Sequence, residues 1–399
     1  MNNDTVVKMG LEYVMNTYPR HSFALVRGAG SYVWDADGSK YLDMVGGIAV
    51  NNVGHCHPKV VEALREQAGI LLHCSNLYWI EPQVRLAKML ADNSFGTKAF
   101  FCNSGAEANE TAIKLARKRS FNKYGPGRSE IITARNSFHG RTLTALTATG
   151  QEKYQKGFEP LTPGFKYVPY NDLAALQQAI TPQTCAILLE PVQGEGGVNP
   201  AGYEYMQGIR DLCSKHDLLL MLDEVQTGLG RTGKLFAYEH YGITPDVMTL
   251  AKGLGGGVPI GAVVAGGEAA ETFQPGEHAA TFGGNPLVTA AAIAALSVII
   301  DEDLSRQALE KGEYIKTKVE AMKKEHPAIV GVRGMGMLRG IELTIEGKPV
   351  QQSCQEKGLL INCVQAKVLR LVPPLTISYE EIDWGLDIIG QALGEVSGQ

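Results

Sequence analysis

The chain has 399 residues, 44% of them hydrophobic and 20% charged, which is the make-up of a globular protein with the length for two or three domains and a sizeable core. Its formal charge of −5 comes without any block of five like charges, so nucleic acid and anionic lipid are poor partners and small-molecule chemistry is the expectation. Seven cysteines (Cys56, Cys74, Cys102, Cys185, Cys213, Cys354 and Cys363) form an odd set without a CxxC pair, which argues against a disulfide framework and a zinc site and fits a reducing cytosol.

The first residues, MNNDTVVKMGLEY, lack an apolar signal core, and the longest apolar run, Ala290–Ile300, is too short to span a bilayer; neither secretion nor membrane insertion is expected. The segment Tyr32–Met44 reads as a hairpin, because an Asp-Gly turn separates two partly alternating, aromatic-rich runs. From about residue 60, helical patterns alternate with short apolar runs at Ala99–Cys102, Glu130–Thr133, Ala186–Leu189, Leu218–Leu222 and Val247–Leu250. Such alternation predicts βα units stacked around a mainly parallel sheet. The glycine-rich stretches Gly125–Gly127 and Gly253–Gly257 are loops inside this body, since apolar runs resume on either side. Beyond a helix near Thr289–Ile300 come a charged helix, Leu304–Lys324, and an alternating run, Gly340–Thr344, which read as a separate α+β lobe.

Four segments carry chemistry. In AFFCNSGAEANETAIKL, Ala99–Leu115, a strand meets Ser104-Gly105-Ala106 and a helix with Glu107 in its first turn. The free amides there suit a phosphate, although an ordinary turn capped by Ser104 would look the same. In NSFHGR, Asn136–Arg141, Phe138 can stack on a flat ring and Arg141 can grip a carboxylate with both arms of its fork. His139 is a possible base and His55-Cys56-His57 possible ligands, but adjacent side chains seldom converge on one metal, so structural roles are expected for all three histidines.

In LLLMLDEVQTGLGRTG, an apolar strand ends in Asp223-Glu224, at the edge where open α/β sheets bind ligands. An acid that deep needs a cationic partner, and a pyridinium nitrogen would be one, with Gln226 near the ring hydroxyl. The competing readings are an acid that caps the next turn and a dinucleotide fingerprint formed by Gly228, Gly230 and Gly233. The fingerprint is poorly spaced: five residues, two of them acids that would repel a pyrophosphate, separate strand from first glycine. In VMTLAKGLGGGVPIGA, Lys252 follows an apolar strand and precedes glycines that would let a bulky cofactor near the backbone. Burial lowers an amine's pKa and frees its lone pair to attack an aldehyde; an exposed strand-end lysine is the alternative.

Taken in order, SGAEAN, FHGRT, EPVQGEGG, LDEVQTGLGRTG, LAKGLGGG and HAATFGGNP resemble the class III (ω-amino) branch of the fold-type I aminotransferases that depend on pyridoxal 5′-phosphate (PLP), with coverage from about Ser31 to Pro374. The resemblance implies an α/β fold: a large domain with a mainly parallel sheet flanked by helices (residues 61–300), and a smaller α+β domain built from both chain ends (residues 1–60 and 301–399). It implies Lys252 as the Schiff-base lysine and proton shuttle, Asp223 as the pyridinium partner, Gln226 near the ring oxygen and Phe138 stacked on the ring, with Glu224 and Val225 in the same cofactor shell. Ser104, Gly105 and Ala106 would hold the phosphate, and Thr281 would reach the phosphate of a neighbouring subunit, which requires a homodimer with sites at the subunit interface. Arg141 would take the carboxylate distant from the reacting amine, while Arg370 would hold the α-carboxylate of glutamate and pair with Glu195 when the donor offers none.

The segments SNLYW (Ser75–Trp79) and RLVPPL (Arg370–Leu375) bring the resemblance toward members that take N2-acetyl-L-ornithine with 2-oxoglutarate as acceptor, in arginine biosynthesis. Ornithine, succinylornithine, N-succinyl-diaminopimelate and 4-aminobutyrate are the alternative donors. Ile48 stands where ornithine-specific relatives carry a tyrosine, and Ala280 where many acetylornithine enzymes carry serine. A cytoplasmic enzyme without metal is the expectation.

Overall fold

The computed structural model describes residues 1–398. Its centre is a seven-stranded sheet formed by β1 (Lys98–Cys102), β2 (Glu130–Ala134), β3 (Phe165–Val168), β4 (Thr184–Leu189), β5 (Leu219–Asp223), β6 (Val247–Leu250) and β7 (Gly261–Ala265), in the order β1-β7-β6-β5-β4-β2-β3. The neighbours β6-β5, β5-β4, β4-β2 and β2-β3 are parallel; β7 alone runs the other way, antiparallel to both β6 and β1. Every residue of β4, β5, β6 and β7 is buried, which is why these strands read as unbroken apolar runs instead of alternating ones.

Five of the seven strands lie where the apolar runs placed them, within one or two residues. The two that the pattern did not reveal have physical reasons. β3 is a four-residue edge strand, three of whose residues are half-buried, so its composition is mixed. β7 is short and small-residued, and it follows the glycines after Lys252 so closely that it merges with their loop.

Both faces of the sheet are covered by helices, among them α1 (Gly105–Tyr124), α2 (Tyr203–His216) and α3 (Pro286–Asp301). The chain ends meet in a second body. Leu25–Ala29, Tyr32–Asp35 and Lys40–Asp43 form an antiparallel meander, as the Asp-Gly hairpin foretold, and the C-terminal segment Leu359–Leu360 adds to it in parallel beside Lys40–Asp43. A further antiparallel sheet joins Ile329–Met335, Leu338–Leu343, Val368–Leu371 and Asn362–Val364. The charged helix, α4, spans Leu304–Met322, and the last helix, α5, spans Tyr379–Ser397 and opens with a capping box between Ser378 and Glu381. Among the described residues, no helix is long and apolar enough to cross a membrane.

This topology gathers the chemistry. β1, β5 and β6 end on the same side of the sheet, and Ser104, Asp223 and Lys252 stand at or just past those ends, where open α/β sheets present a crevice.

Candidate active site

A cavity of about 490 Å³ opens at this edge, and Ser104, Phe138, Asp223, Lys252 and Glu195 line it together. At its floor, Ser104 is the N-cap of α1: its side chain accepts from the Glu107 amide at 3.2 Å, and Glu107 reaches back to the Asn103 amide at 2.7 Å. The amides of Gly105 and Ala106 have no acceptor within the helix and face the cavity, an anion-binding geometry at the positive end of a 20-residue helix. Glycine is required at 105, because a Cβ there would lie 2.7 Å from Val225 Cγ1.

Asp223, the last residue of β5, is 4% exposed, yet it is fully engaged. Its Oδ1 accepts the Val225 amide at 3.0 Å; its Oδ2 accepts Asn109 Nδ2 at 2.7 Å and lies 2.8 Å from His139 Nδ1. Asn109 is itself held by Thr249 Oγ1 at 2.8 Å and donates to the His139 carbonyl at 2.7 Å. The imidazole of His139, for which the sequence suggested a purely structural role, therefore rests on the site's central acid, with Nε2 buried and without a partner.

Lys252 begins a short 3₁₀ turn two residues past β6, at a φ of 44°, a left-handed backbone that a lysine adopts only under surrounding constraint. Burial holds its amine below the ordinary lysine range; Arg370 acts in the same direction, and the carboxylates of Glu195, Asp223 and Glu190 offset part of the effect.

Arg370 does not itself line the cavity: it is completely buried, and its Nη1 lies 2.5 Å from Oε1 of Glu195, which is 22% exposed and does line it. Arg370 also donates to Gln226 Oε1 and Asn362 Oδ1, each at 3.2 Å, which leaves Nη2 without a partner. Burial pushes the Glu195 carboxyl up, but Arg370, Lys252 and the hydrogen bonds from Arg370 and Gln226 outweigh it and hold it below the usual carboxylate range. Gln226 fits because residue 194 is glycine: a Cβ there would lie 2.3 Å from its Oε1. Arg141 stands exposed at the cavity mouth, its guanidinium stacked on the Tyr154 ring, 4.1 Å from the centroid.

Some anticipated residues lie elsewhere. Glu224 does not line the cavity: its carboxylate turns into the protein and accepts the amides of Ala237 and Tyr238 at 2.6 and 2.8 Å, and burial pushes its pKa up to about 7. Both acids hold backbone amides, Asp223 that of Val225 in the turn that follows it and Glu224 those of Ala237 and Tyr238 further along the chain, but of the two only Asp223 lines the cavity. Thr281 and Ala280 lie outside the cavity of their own chain, on the segment tied down by Asn76, whose amide donates to the Ala280 carbonyl at 3.1 Å. Ile48 is 41% exposed and also outside. Conversely, Asn109 and Glu190 escaped the sequence reading. Asn109 lies four residues from Gly105 on one face of α1, a spacing that was available. Glu190 accepts the amides of Phe138 at 3.0 Å and Gly194 at 3.3 Å, and burial beside Asp223 raises its carboxyl well above the usual range.

Among the described residues no cluster of His, Cys, Asp and Glu is arranged to hold a metal ion. A buried amine of lowered pKa, a buried carboxylate and the free amides of a helix start, gathered at one cavity, are what an aldehyde-bearing, ring-nitrogen-bearing phosphate ester requires. That is the PLP-dependent class, and the sequence agrees: residues 13–393 match the class-III aminotransferase family, and the chain belongs to it. It is 56% identical to the acetylornithine aminotransferase of Caldanaerobacter subterraneus subsp. tengcongensis, over 96% of this chain and 98% of that one. In structure it is similar to the ornithine aminotransferase of Toxoplasma gondii ME49 (TM-score 0.95, 33% identity, 100% and 96% of the two chains). It is similar too to the acetylornithine aminotransferase of Elizabethkingia anophelis (TM-score 0.89, 35% identity, 99% and 100%). The enzyme is a PLP-dependent transaminase, and the cavity fits that cofactor on the chain's own geometry, down to the glycine that leaves room for Val225 beside the free amides of the α1 start.

Proposed function

We propose that the enzyme transfers the δ-amino group of N2-acetyl-L-ornithine to 2-oxoglutarate, giving N-acetyl-glutamate 5-semialdehyde and glutamate, in arginine biosynthesis in the cytoplasm. The observation that carries this reading is the asymmetry of the two arginines: Arg370 is masked by Glu195, whereas Arg141 has no ion pair among the described residues. A donor whose only carboxylate is distant from its reacting amine suits that arrangement, because it leaves the buried Glu195–Arg370 pair intact. Glutamate and 2-oxoglutarate present a second carboxylate, for which Glu195 must give way. The name of the relative at 56% identity supports the choice.

When bound, PLP supplies an electron-accepting ring that stabilises negative charge on the carbon that carries the amine. In this reading Lys252 would attach the cofactor and, with its lowered pKa, would serve as the base and acid that moves the proton. Asp223, held by Asn109, His139 and the Val225 amide, would keep a proton on the ring nitrogen. Gln226 would lie near the ring oxygen and Phe138 would stack on the ring, with Val225 in the same shell, while Ser104, Gly105 and Ala106 would hold the phosphate. Arg141 orients the distal carboxylate in both half-reactions.

The reading includes a homodimer in which Thr281 reaches the partner's phosphate and Ala280 the partner's substrate; the exposed Leu77, Tyr78, Trp79 and Phe282 are apolar surface that such an interface would cover. It also divides the chain at residues 60 and 300, both ends forming the smaller domain. A panel of donors with 2-oxoglutarate as acceptor tests the substrate. Acetylornithine should be the best donor; if it is inert while ornithine, succinylornithine, N-succinyl-diaminopimelate or 4-aminobutyrate reacts well, the substrate assignment falls and the transaminase remains.

A further inference from the structure

Arg141 has neither hydrogen bond nor ion pair among the described residues, and a long exposed side chain without a partner would wander. Its guanidinium instead lies over the Tyr154 ring at 4.1 Å, and 5.6 Å from the centroid of Phe138. Tyr154 and Phe138 meet edge to face, 5.8 Å apart at 81°, so the three flat groups form one cluster beside the cavity that Phe138 and Arg141 line. Lys153 also approaches the Tyr154 ring, at 4.9 Å, a longer contact than that of Arg141.

Tyr154 is firmly seated in this cluster. Tyr154 lies on the short helix Glu152–Gln155, where Gln151 donates to the carbonyls of Ser137 (2.9 Å) and Asn136 (3.3 Å), and Gln155 to those of Thr149 (2.7 Å) and Thr147 (3.2 Å). The Gln151 bonds tie the start of the helix to the loop that carries Phe138, and the Gln155 bonds tie its end to the close of the helix Leu143–Ala148. The Tyr154 hydroxyl makes no hydrogen bond among the described residues, so what the residue offers is its ring face.

We propose that Tyr154 is a positioning and specificity-determining residue whose ring fixes the plane and height of the Arg141 guanidinium, and thereby the distance the enzyme demands between the reacting amine and the distal carboxylate of its substrates. The proposal rests on the reading of Arg141 as the carboxylate grip. A planar fork held in one place accepts a carboxylate at one reach, whereas a free arginine follows the carboxylate of a longer or shorter chain.

The test uses the holoenzyme, its variants Tyr154→Phe, Tyr154→Leu and Arg141→Met, and the first half-reaction followed by cofactor absorbance. The donors are N2-acetylornithine, its one-carbon-longer homologue N2-acetyllysine, and 1,5-diaminopentane, which has no carboxylate. Glutarate affinity is measured by calorimetry. With Leu at 154 the space is filled without a π face, so KM for acetylornithine and Kd for glutarate should each rise about 3–10-fold. Meanwhile kcat should hold within about twofold, the preference for acetylornithine over acetyllysine should shrink, and 1,5-diaminopentane should be unaffected. The Phe variant should match the native enzyme. If the Leu variant binds and discriminates as the native enzyme does while Arg141→Met loses acetylornithine, the Tyr154 proposal fails and the Arg141 reading stands. If Arg141→Met also changes nothing, both fail. A Phe variant as impaired as Leu, or an equal loss with 1,5-diaminopentane, would overturn the proposal as well.

Discussion

Glu195→Gln removes the charge that masks Arg370 while it preserves size and one acceptor oxygen. Arg370 is completely buried and its Nη2 already lacks a partner, so the change leaves a cation with only Gln226 and Asn362 as acceptors beside the replaced side chain. Breaking a fully buried pair costs about 3–5 kcal/mol, but Glu195 is 22% exposed and faces an open cavity, so solvent screening reduces this to about 1–3 kcal/mol. That energy appears as a change of preference: a donor that brings an α-carboxylate to Arg370 no longer displaces Glu195, and one that brings none meets an uncompensated cation. The ratio of kcat/KM for glutamate to kcat/KM for acetylornithine should therefore rise by roughly 5- to 150-fold. The backbone at 195 stays anchored, because Gln365 donates to its carbonyl at 2.9 Å. Stopped-flow measurement of the two first half-reactions gives the ratio directly. A ratio within twofold of the native one would refute the switch.

Lys252→Ala should still bind PLP through the helix amides and Asp223 but should lose nearly all transamination; borohydride reduction followed by intact mass should add the cofactor's mass to the native chain and not to the variant. Arg231 is wholly buried, burial pushes its guanidinium down to about 9, and it donates to the carbonyls of Pro373 (2.6 Å) and Met337 (3.1 Å) and to Asn52 Oδ1 (2.7 Å). Arg231→Met strands those acceptors and should lower stability by about 2–4 kcal/mol, read as a shift in urea midpoint; an unchanged midpoint would count against the assignment. For Glu224, the folded pKa of about 7 lies above the ordinary 4.5, so the folded state holds the extra proton between those values. Its contribution to stability is full below pH 4.5 and is lost as pH rises through about 7, at up to about 1.4 kcal/mol per unit. Glu224→Gln should flatten the fall in urea midpoint across that window, and parallel curves for the two proteins would contradict it.

The parts of this site that were legible in the sequence are those in which one local rule fixes one residue. Asp223 closes an apolar strand, Ser104 begins a helix, and Lys252 follows a strand and precedes glycines; each needs only the periodicity of a buried parallel strand and the chemistry of a helix cap. Residues that act across the sheet were not legible in that way. Asn109 looks like any polar residue on α1, and its function appears only when β5 and β6 bring Asp223 and Thr249 to it, 114 and 140 residues later in the chain. The adjacent acids Asp223 and Glu224 show the limit most sharply. Successive side chains leaving a strand point to opposite sides, so one faces the crevice and the other faces the protein, and sequence alone cannot say which.

Register decides it. β5 pairs with β6 so that Asp223 stands beside Thr249, and the Glu224 amide bonds to the Thr249 carbonyl at 3.0 Å. This fixes the strand's last peptide and sends the Glu224 carboxylate back to the amides of Ala237 and Tyr238. The same logic explains why Tyr154 was silent. Its spacing from Arg141 fits no helical or strand period, and the two meet where Gln151 bonds the Phe138 loop and Gln155 bonds Thr149, which together hold the short helix in place. A one-residue slip of β5 would carry Asp223 off the crevice and Glu224 toward it, exchanging a carboxylate held by Asn109 and His139 for one with neither. The acid in the crevice is thus specified as much by the strand pairing as by the residue itself.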